Sequence, residues 1–142
     1  MNKILLVCVG NICRSPMAEA LFSHKLQSRS ITVTSAGLSA LVGYPADPLV
    51  TELMMERGID ISNHRASQLT PAFIQEADLV LVMETWQIKA VESIWLMARG
   101  KVHLLGKWGQ FEVPDPYRQS RQAFEMALKQ IEQGVEDWIN KI

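Results

Sequence analysis

The chain has 142 residues, of which 48% are hydrophobic and 20% are charged, and its formal net charge at pH 7 is -1. This length and composition predict a soluble globular protein in which residues 1–142 form a single domain with its own core. The near-neutral charge does not favour nucleic acid or an anionic membrane surface as a partner. Two cysteines and three histidines exclude a disulfide framework and make a structural zinc site unexpected.

The N-terminal apolar stretch is short and lacks the features of a targeting segment. Lys3 precedes apolar residues 4–9, but this run meets Asn11 and Arg14 and carries no small-residue cleavage site. No apolar run approaches the ~18 residues of a membrane-spanning helix. We therefore expect no membrane insertion and a cytoplasmic location, where thiols stay reduced.

Apolar strand-like runs alternate with helical patterns along the whole chain. The pattern predicts, in order, strand 3–8, helix 16–29, strand 31–35, helix 48–57, a short helix opened by Thr70-Pro71, strand 79–83, helix 84–98, strand 102–105 and a last helix. The last helix has one apolar face, which favours core packing: Phe124, Ala127, Leu128, Ile131, Val135, Trp138 and Ile139. This alternation predicts an α/β fold, a single three-layer domain with a four-stranded parallel sheet and helices on both faces.

A tight loop after the first strand is the most informative segment of the chain: Cys8-Val9-Gly10-Asn11-Ile12-Cys13-Arg14-Ser15. A helix opens at Pro16, so the loop aims backbone N–H groups at one point near the positive end of a helix dipole. Gly10 and Asn11 both tolerate positive φ, which would let the chain curl there. The loop therefore predicts a binding site for one tetrahedral oxyanion such as phosphate.

Cys8, Arg14 and Ser15 add the groups of a nucleophilic reaction to this anion site. The planar guanidinium of Arg14 can bind two phosphate oxygens at once. The positive environment that binds phosphate also stabilises a thiolate, so we expect Cys8 to react in that form and Ser15 to donate a hydrogen bond to it. The alternative is that Cys8 is a small core residue at the end of a strand. The curl and the following helix favour the reactive interpretation.

A thiolate displaces a phosphoryl group only if the leaving oxygen is stabilised, for which a general acid is required. Asp115 is the best candidate because it lies between two prolines in the long loop 106–117 that follows the fourth strand. In a parallel sheet, that loop and Cys8 share the edge at which the strands end. Tyr117 would offer an aromatic wall to an aryl leaving group. The alternative is an ordinary Pro-Asp-Pro surface turn, which the Cys8 loop makes the weaker interpretation.

Four motifs in the same order make the chain resemble the low-molecular-weight protein tyrosine phosphatases over essentially its whole length. They are the Cys8 to Ser15 loop, Ser35-Ala36-Gly37, the strand from Ala77 to Met83, and Asp115-Pro116-Tyr117. Three further segments resemble the bacterial branch that accompanies tyrosine autokinases of capsule or exopolysaccharide production: Leu41-Val42-Gly43, Ala46-Asp47-Pro48 and Val113 to Arg118. The resemblance implies a cytoplasmic hydrolase that cleaves phosphotyrosine in proteins, with a tyrosine autokinase as its partner and with no cofactor or metal.

The resemblance also implies the roles of the reacting groups. Cys8 would form a phosphocysteine intermediate, and Ser15 would assist its thiolate. Asp115 would protonate the departing tyrosine oxygen and then deprotonate the attacking water. Arg14 and loop amides would hold the equatorial phosphate oxygens, the amides being those of Val9, Gly10, Asn11, Ile12, Cys13 and Arg14.

The same resemblance implies the roles of the surrounding residues. Asn11 would hold the shape of the loop, with His64 supporting it through Asn11. Tyr117 and the loop that contains Leu41 would flank the ring of the substrate. His64 could equally be an ordinary core or surface histidine.

Three positions raise separate questions. Cys13 is a second thiol near the nucleophile, and it could close a reversible disulfide with Cys8, as the resemblance implies, or only pack within the loop. The family often has His-x-Ala-Arg where this chain has His64-Arg65-Ala66-Ser67, so any structural role of that arginine is not carried over. Arg118 replaces a second tyrosine that is common in eukaryotic members, which removes a phosphorylation site and adds a cation at the rim.

Two other functions fit parts of the pattern. A thioredoxin-coupled arsenate reductase shares the fold and the Cys-x5-Arg loop, but its relay needs two cysteines beyond Cys8 and Cys13. A non-catalytic phosphotyrosine-binding module is disfavoured because Cys8, Arg14 and Asp115 are all present. No G-x-G-x-x-G motif follows a predicted strand, which argues against a dinucleotide-binding protein.

Overall fold

The computed structural model describes the whole chain, residues 1–142. Its four strands all run parallel in one sheet. The strands are β1 (Lys3–Cys8), β2 (Thr32–Gly37), β3 (Leu79–Val82) and β4 (Val102–Leu104). The helices are α1 (Arg14–Lys25), α2 (Pro48–Glu56), α3 (Pro71–Glu76), α4 (Thr85–Ile94) and α5 (Arg121–Ile139), with a 3-10 helix at Leu96–Ala98. The strand order is β2-β1-β3-β4.

The central strand β1 is covered on both of its faces. Ile4 and Leu6 belong to a core cluster that includes the buried hydrophobic residues of α1, α2 and α5. Leu5 and Val7 belong to a second cluster with Ile74 of α3 and Val91 of α4. A strand buried on both faces is expected to be continuously apolar, as β1 is. The three-layer α/β fold predicted from the sequence, with helices on both faces of a four-stranded parallel sheet, is confirmed.

Several helices begin where the sequence supplies a cap. Asp47 accepts a hydrogen bond from the backbone N–H of Leu49 at 2.9 Å, and α2 begins at the next residue, Pro48. Thr70 caps α3 in the same way before Pro71. Proline at the first helical position has its φ already set, so cap and proline together fix both starting points.

Several predicted boundaries were displaced, most of them by one residue, and the larger differences have physical reasons. α1 begins at Arg14 instead of residue 16, and it ends at Lys25 because residues 27–30 are exposed and have no apolar face to pack. The predicted helix 84–98 is divided, since Trp95 has an extended backbone (φ -147°, ψ 106°) between α4 and the 3-10 helix. β2 extends beyond the predicted strand 31–35 to Gly37, because its last residues still pair with β1.

Three segments meet at the edge where the strands end. The first is the anion loop (residues 8–14), which joins β1 to α1. The second is the start of α4, with Glu84 as its N-cap, which follows β3. The third is the Asp115 loop (residues 105–120), which follows β4 without helix or strand. This convergence follows from parallel topology.

None of the helices combines the length and the apolar character that crossing a bilayer requires.

Candidate active site

The backbone of the anion loop turns its carbonyl groups outward and its N–H groups inward. Every carbonyl oxygen from Cys8 to Cys13 accepts a hydrogen bond from the surrounding protein. The donors are the backbone N–H groups of Leu38, Ser39, Leu41, Asp47 and Met17 and the Nε2 of His64. The N–H groups from Val9 to Arg14 donate to no protein acceptor. Because buried backbone donors are nearly always paired, this row of free N–H groups indicates a site for an oxyanion.

Asn11 supplies the left-handed curl of the anion loop, with φ 59°. Of the two residues expected to tolerate such a curl, Asn11 has a positive φ and Gly10 does not, and the side chain of Asn11 explains the difference. Its Nδ2 donates to Ser15 Oγ at 2.8 Å and to Ser35 Oγ at 3.0 Å, and its Oδ1 accepts from the backbone N–H of Ser67 at 2.9 Å. These bonds satisfy the fully buried amide and hold a conformation that asparagine tolerates.

The two thiols of the loop differ in their surroundings. Cys8 Sγ lies 2.9 Å from Ser15 Oγ. Because Ser15 Oγ already accepts from Asn11, its own proton is available to Cys8 Sγ. Burial raises the pKa of the Cys13 thiol well above its ordinary value, and the negative charge of Asp47 raises it further. Cys13 therefore stays a neutral thiol at neutral pH, whereas Cys8 has a hydroxyl donor beside it.

Arg14 is buried, with 1% of its side chain exposed, and it joins the three segments of the site. Its Nη1 donates to Glu84 Oε1 and, at 2.9 Å, to the backbone oxygen of Val113. Its Nη2 lies 3.8 Å from Asp115 Oδ2, and neither Nη2 nor Nε donates a hydrogen bond to the protein. The Nε–Nη2 edge, which has the fork geometry for two oxygens of one anion, is therefore free to bind a ligand.

The Asp115 loop is fixed to the end of β3 before it reaches the acid. The backbone N–H of Val113 donates to the Met83 oxygen at 3.0 Å, and Glu112 Oε2 accepts from the backbone N–H of Thr85 at 2.6 Å. That second bond also lowers the pKa of Glu112. At the acid itself, Asp115 Oδ1 accepts from the backbone N–H of Tyr117 at 3.0 Å. These bonds hold the carboxyl near the anion loop before any substrate is bound.

Cys8, Arg14 and Asp115 line one cavity of about 370 Å³. Cys8 is only 2% exposed, so its sulfur is reached through this cavity and lies deep within it. Asp115, whose side chain is 45% exposed, lies nearer the mouth. The walls include the two predicted substrate-flanking residues, Leu41 and Tyr117. The remaining lining residues are Val9, Gly10, Ile12, Cys13, Arg14, Ser39 and Arg118.

A larger concavity of about 470 Å³ contains neither cysteine. It is lined by residues of α1 and of the segment 59–64, including His64, whose Nε2 donates to the Asn11 oxygen at 2.7 Å. No group of three or more His, Cys, Asp or Glu side chains is placed to hold a metal ion. The smaller cavity is therefore the candidate active site, because it combines a thiol, a guanidinium and a carboxyl.

The predicted site residues line this cavity except for Asn11, Ser15 and His64. These three are connected to it by contacts: Ser15 Oγ with Cys8 Sγ, Asn11 Nδ2 with Ser15 Oγ, and His64 Nε2 with the Asn11 oxygen. Sequence reasoning missed Glu84, which orients Arg14, and Glu112, which anchors the Asp115 loop. Glu84 had a usable signal, because it is a carboxylate directly after a buried strand, at the edge where ligands bind. Glu112 had no such signal in the sequence, since its partner is the backbone N–H of a residue 27 positions away.

Comparison with known proteins gives one consistent result. The family model described as low molecular weight phosphotyrosine protein phosphatase matches residues 3–142. The chain is 50% identical over 142 residues to the probable low molecular weight protein-tyrosine-phosphatase EpsP of Ralstonia nicotianae, covering 100% of this chain and 97% of that protein. It is 46% identical over 138 residues to the low molecular weight protein-tyrosine-phosphatase Wzb of Salmonella typhimurium, covering 96% and 91%. A structure of Vibrio vulnificus Wzb in complex with benzylphosphonate matches with a TM-score of 0.94 and 44% identity, over 99% of each chain.

Proposed function

Because the chain belongs to the low molecular weight phosphotyrosine protein phosphatase family, we propose that it hydrolyses phosphotyrosine through a phosphocysteine on Cys8, with Asp115 as general acid. The observation that carries this proposal is the composition of the 370 Å³ cavity. One thiol lies deep within it, free backbone N–H groups surround that thiol, and a carboxyl lies nearer the mouth. The depth favours phosphotyrosine, since the phosphoryl group must be carried to Cys8 on a long side chain.

In the first step, the Cys8 thiolate attacks phosphorus. The Sγ–P bond forms as the bond from phosphorus to the tyrosine oxygen breaks, and Asp115 transfers its proton to that oxygen. The equatorial oxygens bind the N–H groups from Val9 to Arg14 and the Nε–Nη2 edge of Arg14. Most of the catalysis in phosphoryl transfer comes from this kind of fixed positive environment.

In the second step, water replaces the cysteine. Asp115, now a carboxylate, takes a proton from the water as its oxygen bonds to phosphorus and the Sγ–P bond breaks. The Cys8 thiolate leaves with the Ser15 hydroxyl donating a hydrogen bond to it. Phosphate is released and both groups return to their starting protonation states.

Replacing Cys8 with serine tests the nucleophile. We expect Cys8→Ser to lower turnover of p-nitrophenyl phosphate by about 10⁴-fold or more, because a hydroxyl is a far weaker nucleophile in this environment. Phosphate should still bind, since the N–H groups and Arg14 remain, and isothermal titration measures that binding. Cys13→Ser is the matched control and should retain clear turnover. A Cys8→Ser enzyme with a near-normal rate would exclude Cys8 as the nucleophile.

Replacing Asp115 with asparagine tests the general acid. Asp115→Asn should slow phenyl phosphate, a poor leaving group, by about 100- to 1,000-fold, and p-nitrophenyl phosphate by less than about tenfold. The difference arises because p-nitrophenolate leaves readily without a proton. Steady-state kcat on a series of aryl phosphates gives the comparison, with Asp137→Asn on α5 as the control. Equal slowing of every substrate would remove Asp115 from this role.

The two alternative functions find less support. The free thiols are Cys8 and Cys13 alone, so a reductase relay of two further cysteines has no residues to carry it. A binding module would have no use for a carboxyl held 3.8 Å from the anion-binding arginine, where it repels a phosphate dianion unless it is protonated. Both points favour turnover over arsenate reduction or binding alone.

For the physiological partner, we propose a tyrosine autokinase of exopolysaccharide production, dephosphorylated in the cytoplasm. The support is the chain's similarity to EpsP and Wzb together with the depth of the cavity. We expect the enzyme to release phosphate from such an autokinase and from phosphotyrosine peptides at least about 100-fold faster than from phosphoserine or phosphoarginine peptides, which lack the aromatic ring. Phosphate release with Cys8→Ser as the blank measures this. Preference for phosphoserine would contradict the proposal.

A further inference from the structure

Arg118 occupies a backbone conformation that arginine rarely adopts. The backbone N–H of Gln119 donates to the Pro116 oxygen at 2.9 Å, which closes a turn with Tyr117 and Arg118 as its central residues. The φ of Arg118 is 62°, and glycine or asparagine is the usual residue for positive φ at this position of a turn. Such strain persists at functional sites, where the side chain has a use that a better-fitting residue would lack.

The guanidinium of Arg118 is held in place without being neutralised. Its Cζ lies 5.2 Å from the centre of the Tyr117 ring, in the range of a cation–π contact. The ion pairs of the site join Arg14 to Glu84 and to Asp115, and Arg118 takes part in neither. Its side chain also donates no hydrogen bond to the protein. All of its N–H donors are therefore available to a ligand.

Arg118 is also the exposed cation among the residues that line the active-site cavity. The other cation, Arg14, is buried and already bonded through Nη1. If a phosphotyrosine binds with its phosphate at Cys8 and its ring between Leu41 and Tyr117, its backbone would lie at the mouth beside Arg118. The residues next to the phosphotyrosine are the ones that this guanidinium can contact.

We infer that Arg118 is a specificity-determining residue that selects phosphotyrosines with an acidic side chain beside them. The inference rests on the proposed function and names a substrate class for the same site. The Tyr117 ring orients the guanidinium, and the strained turn brings it to the cavity mouth. An anionic neighbour on the substrate then completes a charge-assisted hydrogen bond that the free enzyme lacks.

Three phosphotyrosine peptides test the inference, identical except for glutamate, glutamine or lysine on both sides of the phosphotyrosine. For the native enzyme at low salt, we expect kcat/KM to be about three- to tenfold higher for the glutamate than for the lysine peptide, as suits one exposed ion pair. The ratio should shrink as salt screens the contact. Arg118→Gln should bring the ratio close to one, and Arg118→Glu should invert it. Arg99 is an exposed arginine that precedes β4, at the edge of the sheet where the strands begin. Arg99→Gln is therefore the control and should keep the native ratio.

Stability measurements separate recognition from a purely structural role. Arg118→Asn suits the positive φ, so its midpoint of urea unfolding should equal or exceed that of the native protein, while its peptide preference is lost. A lower midpoint with an unchanged peptide ratio would mean that Arg118 only packs on Tyr117. Equal hydrolysis of all three peptides by the native enzyme would overturn the inference alone. Hydrolysis of none of them would overturn the proposed function.

Discussion

The buried guanidinium of Arg14 is the constraint on which the rest of the site depends. A charge with 1% of its side chain exposed must be paired, because an uncompensated buried charge is strongly destabilising, by about 3–5 kcal/mol when one partner of a buried pair is removed. Glu84 and the Val113 oxygen provide that pairing, and both bind the same nitrogen, Nη1. One residue of the anion loop thereby fixes the end of β3 and the Asp115 loop relative to each other. The pairing also leaves the Nε–Nη2 edge as the part of Arg14 that faces a ligand.

The backbone of the anion loop, like Arg14, is bonded to the protein on one side and free to bind a ligand on the other. Its carbonyl oxygens from Cys8 to Cys13 all accept hydrogen bonds, from segments that follow β2 and from the helix that follows the loop. These bonds fix the conformation of the loop. Its N–H groups are left for the substrate. Asn11 connects the anion loop to Ser15 and Ser35 by hydrogen bonds, and Ser35 in turn donates a hydrogen bond to Glu19 on α1. Donors fixed in this way before binding need little reorganisation as charge develops on the phosphoryl oxygens.

The sequence predicted which groups meet in the cavity better than it predicted the connections that support them. Cys8, Arg14 and Ser15 lie within eight consecutive residues, so their spacing alone indicates an anion site. Asp115 could be added because the ends of parallel strands share one edge. The presence of Glu84 at this edge could be inferred from its place after a buried strand. Its pairing with Arg14 could not, since the two residues lie 70 positions apart and their contact depends on side-chain directions that only packing decides.

Both Gly10 and Asn11 were expected to tolerate the positive φ of the curl, glycine most easily. The structure gives it to Asn11, where three side-chain hydrogen bonds stabilise the conformation. At Asn11, tertiary hydrogen bonds decided between two residues that the local sequence left open. The predicted helix 84–98 is divided at Trp95, where the backbone becomes extended although the helical pattern of the sequence continues.

A crystal structure with orthovanadate would test most directly whether these groups act on one phosphorus atom. Vanadate adopts the five-coordinate geometry of phosphoryl transfer, and transition-state analogues bind to groups arranged for the transition state. We expect vanadium bonded to Cys8 Sγ, with equatorial oxygens on the N–H groups from Val9 to Arg14 and on the Nε–Nη2 edge of Arg14. The Arg14–Glu84 pair should stay intact, and the apical oxygen should accept a hydrogen bond from Asp115. Vanadate bound away from Cys8, or bound there with the carboxyl of Asp115 turned away from the apical oxygen, would contradict this account.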